Sequence, residues 1–237
     1  MAEDFDSGNP LQRTSQWLND RHGCLTASRA AAVINRRRDG KPTAAYQALM
    51  GILIAERITG EVIGTGTTPA MQWGIEHEAE ARDAYEVETG ELVDLVGFVP
   101  HPEIPWFGAS PDGLVGDDGL LEIKCPNTTT HLERIAAGVV PEEYRPQMLV
   151  QLLCTGRRWV DFVDYDPRLK GPWKHLKFWT IRFQPTDEEL EQAEKLCRQF
   201  LAEAQALFEK LQSLTKPAIE AAASQPKFEP FTSKKRS

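Results

Sequence analysis

Residues 110–126 read Ser-Pro-Asp-Gly-Leu-Val-Gly-Asp-Asp-Gly-Leu-Leu-Glu-Ile-Lys-Cys-Pro. Glycine and aspartate at 116–119 favour the left-handed and turn conformations that fold one strand back on the next. Side chains alternate along a strand, so Leu121, Ile123 and Cys125 point one way while Glu122 and Lys124 point the other. Pro126 ends the run. Asp112 lies at the far end of the partner strand, and the hairpin brings it toward Glu122 across the ladder, with the oxygens of both suited to a hard cation such as Mg²⁺. An isolated Glu-x-Lys ordinarily faces water with its polar side. Here a proline-preceded Asp stands ten residues upstream across a tight turn, and that pairing makes two carboxylates and one amine a candidate metal site.

A third acid emerges from helical geometry. The segment Ala70 to Thr89 is closed by Gly90, where helices commonly stop. Met71, Ile75, Arg82 and Tyr85 recur at helical spacing, and Glu78 falls within their stripe. A carboxylate carried toward the core is costly unless something positive meets it. An i, i+4 pair with Arg82 would do so for a few tenths of a kcal/mol, but the hairpin beside it offers a cation, which favours a metal-ligand role. Upstream, Gly23 ends one short helix, and Thr26 or Ser28 is placed to cap a next one running through Ala30 to Ile34. A helix start receives phosphate readily, and Arg21 can add a bidentate contact. Each residue alone reads as an ordinary cap or surface charge; their joint nearness to the acidic site favours a phosphate-binding role.

The remaining chain fits a single α/β domain over residues 1–237, a mixed sheet flanked by helices, with residues 1–10 and 217–237 expected as mobile tails. Thr43 caps a helix ending near Thr59-Gly60. Strands are expected at Leu92 to Val99, Trp106 to Ala109, Trp159 to Asp164 and Leu176 to Phe183. Pro141 opens a helix with Gln147 and Gln151 on one face. Thr186 and Glu189 form a capping box for Asp187 to Leu214, whose stripe from Leu190 through Phe200 to Leu214 reads as core packing. Cys24, Cys125, Cys154 and Cys197 have neither zinc nor disulfide spacing. No apolar run approaches the roughly 20 residues of a membrane span, and Met1 to Asp6 is acidic, so a cytoplasmic protein is expected. The net charge of −8 opposes bulk attraction to phosphate. Half of it is local: seven acids against three bases between Thr186 and Ser213. The candidate phosphate-facing bases are Arg36, Arg37, Arg38 and Lys41, a run that elsewhere would be a solvated loop.

From Trp17 to about Phe183 the chain resembles the lambda-type phage exonucleases, the YqaJ viral recombinase family of the PD-(D/E)xK nucleases. The resemblance runs through Arg21-His22-Gly23 with Thr26-Ala27-Ser28, Trp73-Gly74 with His77-Glu78, Ser110-Pro111-Asp112-Gly113, Leu121 to Pro126, Tyr144 with Gln147, and Tyr165-Asp166-Pro167. It implies that Asp112, Glu122, Glu78 and the main-chain carbonyl of Ile123 are metal ligands for Mg²⁺, two ions per site, with Mn²⁺ as a substitute. Lys124 becomes the catalytic lysine, positioning or deprotonating a water with its pKa lowered by the cations, and Gln147 an active-site glutamine. Arg21, Ser28 and Ser110 match positions that hold a terminal 5′-phosphate. Where the family pattern has a basic residue after Cys-Pro, this chain reads Asn127-Thr128-Thr129-Thr130-His131, so Thr130 and His131 are the candidate phosphate or DNA contacts there. The implied activity is 5′-to-3′ digestion of linear duplex DNA from its ends by a homotrimeric ring, leaving 3′ overhangs for a single-strand annealing partner, in the bacterial host cytoplasm if the chain is phage-encoded. The alternatives are an endonuclease on the same core, for repair or restriction, and a non-catalytic DNA-end-binding module.

Overall fold

A computed structural model describes residues 9–37, 39–64 and 66–223. In chain order it contains α1 (Ser15–Arg21), β1 (Leu25–Thr26), α2 (Ala31–Ile34), α3 (Ala44–Thr59), α4 (Pro69–Thr89), β2 (Val93–Asp94), β3 (Val99–Pro100), β4 (Phe107–Ala109), β5 (Gly113–Val115), β6 (Gly119–Lys124), α5 (Thr128–Ala137), α6 (Arg145–Thr155), β7 (Trp159–Tyr165), β8 (Phe178–Phe183) and α7 (Asp187–Ala223). Helix ends follow local chemistry. Thr43 and Thr68 accept from the amides of Tyr46 and Met71, while Gly60 and Gly90 close α3 and α4 at φ +74° and +76°. Thr186 and Glu189 make the reciprocal cap of α7.

The main sheet runs β2-β5-β6-β7-β8. The β5–β6 hairpin is antiparallel, with Gly113 opposite Leu121, and β6 then pairs in parallel with β7. Strand β6 is therefore central and covered on both faces. Leu121 and Ile123 pack with Ala81 and Tyr85 of α4, and Leu120 packs with Met148, Leu149 and Leu152 of α6. A smaller sheet, β1-β4-β3, lays Thr26 parallel to Gly108, so the chain after β1 lies beside the chain leaving β4 toward Ser110.

Several expected boundaries move. The run from Leu92 to Val99 is two short strands in different sheets, because the Val96 carbonyl accepts from the side-chain amides of Asn9 (3.2 Å) and Gln12 (3.0 Å) instead of a ladder partner. Asn9 is accordingly buried rather than part of a loose tail; residues 1–8 lie outside the described residues. Helix α7 continues past Leu214 to Ala223, which takes 217–223 out of the expected tail, and 224–237 lie outside the described residues. Its core stripe runs through the buried Ala193, Cys197, Phe200 and Ala204 to the partly buried Phe208 and Leu211, while Leu207 and Leu214 are exposed. Among the described residues no helix is long and apolar enough to cross a membrane, and the four cysteines are free thiols.

Candidate active site

Strand pairing places the acids. Asp112 precedes β5, its amide donates to the Leu121 carbonyl (3.1 Å), and its Oδ2 accepts from the Ile123 amide (2.7 Å), so the carboxylate is held against β6. Glu122 points to the α6 side and is 1% exposed. Its Oε1 accepts from Gln147 (2.6 Å) and pairs with the Lys124 ammonium, and its Oε2 accepts from Gln151. The two glutamines stand one turn apart on α6, which is why both reach one carboxylate. On α4, Glu78 is buried. Arg13 donates to its Oε2 (3.1 Å), while Oε1 receives no hydrogen bond and Arg82 Nη1 stands at 4.0 Å. Glu78, Asp112, Ile123, Lys124, Arg134 and Tyr144 line a cleft of about 600 Å³.

Burial, reinforced by the charges of Glu122 and Glu78, pushes the Asp112 carboxyl well above its ordinary pKa. Burial works against the Lys124 ammonium, yet the charges of Glu122 and Asp112 outweigh it and raise its pKa. The expected lowering of the Lys124 pKa depends on neighbouring cations; with carboxylates as neighbours the shift has the opposite sign.

Arg21, Ser28 and Ser110 meet. Arg21 donates to Ser110 Oγ (3.0 Å) and Ser28 Oγ (3.3 Å), and Trp17 Nε1 donates to Ser110 Oγ (2.9 Å) with the guanidinium stacked 4.1 Å over its ring. Burial first, then the nearby Arg29 charge, lower the Arg21 pKa to about 10. The means differs from the expected capped helix. A short 3₁₀ turn, Ala27–Arg29, precedes the four-residue α2, and Thr26 caps neither, its hydroxyl lying 3.2 Å from Ser28 Oγ.

The Thr130 amide donates to Asn127 Oδ1 as part of the α5 cap. His131 does not face the cleft. It is fully buried, with Nδ1 on Asp164 and Nε2 on the Leu176 carbonyl (2.7 Å), which leaves neither nitrogen for a phosphate. The cation that lines the cleft from α5 is Arg134, one turn after Thr130; it donates to Asp164 (2.7 Å) and to the Tyr144 hydroxyl (3.0 Å). The Lys124 ammonium sits 5.0 Å from the centroid of the Tyr144 ring. In the basic loop, Arg36 stacks on Tyr46, and Arg37 and Lys41 pair with Asp39; Arg38 lies outside the described residues. Sequence reasoning missed Arg13 and Arg134 and left Gln151 without a role, although its spacing from Gln147 was the available signal.

The donor chemistry fits a hard divalent cation: oxygen ligands only, an unbonded buried Glu78 Oε1, and three carboxylates whose mutual repulsion a cation relieves. It is not a finished cage. Among the described residues no three His, Cys, Asp or Glu side chains are grouped closely enough to hold a metal as they stand, since Lys124 and Arg13 occupy Glu122 and Glu78.

A central strand carrying Glu-x-Lys, preceded across a tight turn by Pro-Asp and flanked by helices, defines an α/β nuclease with the PD-(D/E)xK core. Residues 16–158 match the YqaJ-like viral recombinase domain, and the chain belongs to that family. An alkaline exonuclease from Laribacter hongkongensis is 43% identical, with a TM-score of 0.79 over 86% of this chain and 100% of that one. The same enzyme in complex with dAMP gives 43% identity and a TM-score of 0.77 over 88% and 100%. A phage-related exonuclease from Haemophilus somnus, 17% identical, shares the fold with a TM-score of 0.60 over 84% and 100%. A search of curated proteins gives no significant match. The chain is an exonuclease of the viral-recombinase type.

Proposed function

We propose that this exonuclease is Mg²⁺-dependent and degrades the 5′-ended strand of linear duplex DNA, leaving a 3′ overhang for strand-annealing recombination. The observation that carries the reading is the Arg21–Ser28–Ser110 cluster, whose Ser110 stands two residues before Asp112. A guanidinium and two hydroxyls suit a terminal phosphate dianion, and their closeness to the acids ties end recognition to cleavage.

Asp112, Glu122, Glu78 and the Ile123 carbonyl would hold the cations, with the Lys124–Glu122 and Arg13–Glu78 pairs opening to release the acids. Bound Mg²⁺, or Mn²⁺ in its place, supplies an activated water and charge stabilisation at the phosphate. Gln147 and Gln151 orient Glu122. Lys124, released from Glu122, would position the water beside the attacked phosphate. Kinship with the family supports a homotrimeric ring, a single-strand annealing protein as partner and a cytoplasmic setting.

Digestion of linear duplex labelled at either end tests the polarity. The 5′-ended strand should disappear first and covalently closed circles should stay intact; early loss of the 3′-ended strand, or nicking of circles, refutes the reading. Arg21→Ala should erase most of the preference for a 5′-phosphorylated end. The expected loss is about 10- to 100-fold, as for a charged hydrogen bond worth about 1.5–3 kcal/mol, read from initial rates on phosphorylated and unphosphorylated ends.

A further inference from the structure

The connection from β7 to β8 concentrates positive charge in a chain of net charge −8. It carries Arg168, Lys170, Lys174, His175 and Lys177, with no acid from Pro167 to Lys177. Residues Gly171–Leu176 form a 3₁₀ turn, entered through Gly171 at φ +59°, and present Trp173 with 61% of its surface exposed. The base of this loop is pinned to elements that border the cleft. Arg168 donates to the Pro126 carbonyl (2.5 Å) and stacks over Trp73 of α4 (4.6 Å), the Leu176 carbonyl bonds His131 of α5, and Lys177 pairs with Glu80 of α4 (2.7 Å). Arg168 is also neutralised by Asp166 (2.6 Å), whereas Lys170 and Lys174 have no carboxylate partner among the described residues.

An exposed indole flanked by two unpaired ammonium groups on a fixed base is the chemistry of a single-strand contact. Base faces stack on aromatic rings whatever their sequence, and phosphates follow the cations. A duplex hides its base faces, so the indole selects an unpaired strand. We propose that this turn holds single-stranded DNA beside the cleft, Trp173 stacking on a base and Lys170 and Lys174 contacting phosphates, so that the strand left by digestion is retained by the enzyme. The inference rests on DNA being the substrate proposed above, but its test is separate from catalysis.

Fluorescence anisotropy of a labelled single-stranded oligonucleotide without a 5′-phosphate, measured on the full chain in EDTA, reads strand binding apart from cleavage and from the Arg21 cluster. Trp173→Ala should weaken binding roughly 5- to 100-fold, the range for one lost base stack, and Trp173→Phe should restore most of it. Lys170→Ala with Lys174→Ala should flatten the slope of log K against log salt by about 1.4, at about 0.7 per phosphate contact on a single strand. Blunt-duplex binding should be nearly unchanged. Unchanged single-strand affinity, or an equal loss on blunt duplex, overturns the proposal; so does a change confined to self-association or to binding of a protein. If digestion shows the opposite polarity while Trp173→Ala still loses single-strand affinity, the function proposed above fails and this surface stands.

Discussion

Asp112→Asn should cut the rate of DNA degradation by about 10³-fold or more while leaving the protein folded and somewhat more heat-stable. The rate loss follows from removing a charge that helps hold the cation, an effect worth several kcal/mol at about 1.36 kcal/mol per tenfold. The fold should survive because an asparagine oxygen can still accept from the Ile123 amide, the bond that now fixes Asp112 Oδ2 at 2.7 Å. The stability gain comes from the neighbours: Asp112 is a half-buried carboxylate facing the charges of Glu122 and Glu78, and neutralising it relieves that repulsion. A second readout does not depend on turnover. At a Mg²⁺ concentration about a hundredfold above Kd, the wild type gains about 2.7 kcal/mol, or roughly 5–10 °C in Tm, and Asp112→Asn gains far less. Undiminished digestion by Asp112→Asn, or equal Mg²⁺ shifts in both proteins, would place the cation elsewhere.

What could be read from residues alone divides along physical lines. The Asp112, Glu122 and Lys124 arrangement was legible because strand alternation and a glycine-bounded turn are local rules, and β6 obeys both. Glu78 was legible because α4 has a clean cap and a clean stop. Helix α5 was not. Three threonines at its start are poor helix formers, and the Asn127 side chain, accepting from the Thr130 amide, caps the first turn. His131 was proposed from its place after Cys-Pro in the family pattern, whereas α5 turns it inward onto Asp164. Arg13 had no sequence signal at all, since it reaches Glu78 from a left-handed position, φ +62°, in the bend that enters α1. The divided strand at Leu92 to Val99 shows the same limit: local β propensity was real, but amides from residues more than eighty positions away took its carbonyl.

The largest loss of stability should come from Asp164→Asn, a residue outside the proposed ligand set but opposite Lys124 on the neighbouring strand. Asp164 is fully buried on β7 and pairs at once with the Arg134 guanidinium and the His131 imidazole. Removing one partner of a buried ion pair leaves uncompensated charge, a cost of about 3–5 kcal/mol, or a drop in Tm on the order of 10 °C for a chain of this size. Asp118→Asn is the control: it lies on the surface, 3.7 Å from Arg158, and should change stability by less than about 0.5 kcal/mol. The loss should also carry a pH signature. Burial opposes charge on His131, but its bonds to Asp164 and the Leu176 carbonyl prevail and raise its pKa. A pKa raised on folding contributes stability that is complete below the unfolded value, about 6.5, and disappears as pH rises through the folded value. Wild-type stability should therefore decline over that interval, and the corresponding slope should vanish in Asp164→Asn. Activity should fall as well, because Arg134 holds the Tyr144 ring beneath the Lys124 ammonium and loses its own anchor when Asp164 is neutralised. Chemical denaturation at pH values from about 6.5 upward, the unfolded value above which the decline sets in, measures the difference; parallel curves for the two proteins would show that Asp164 does not set the charge of His131.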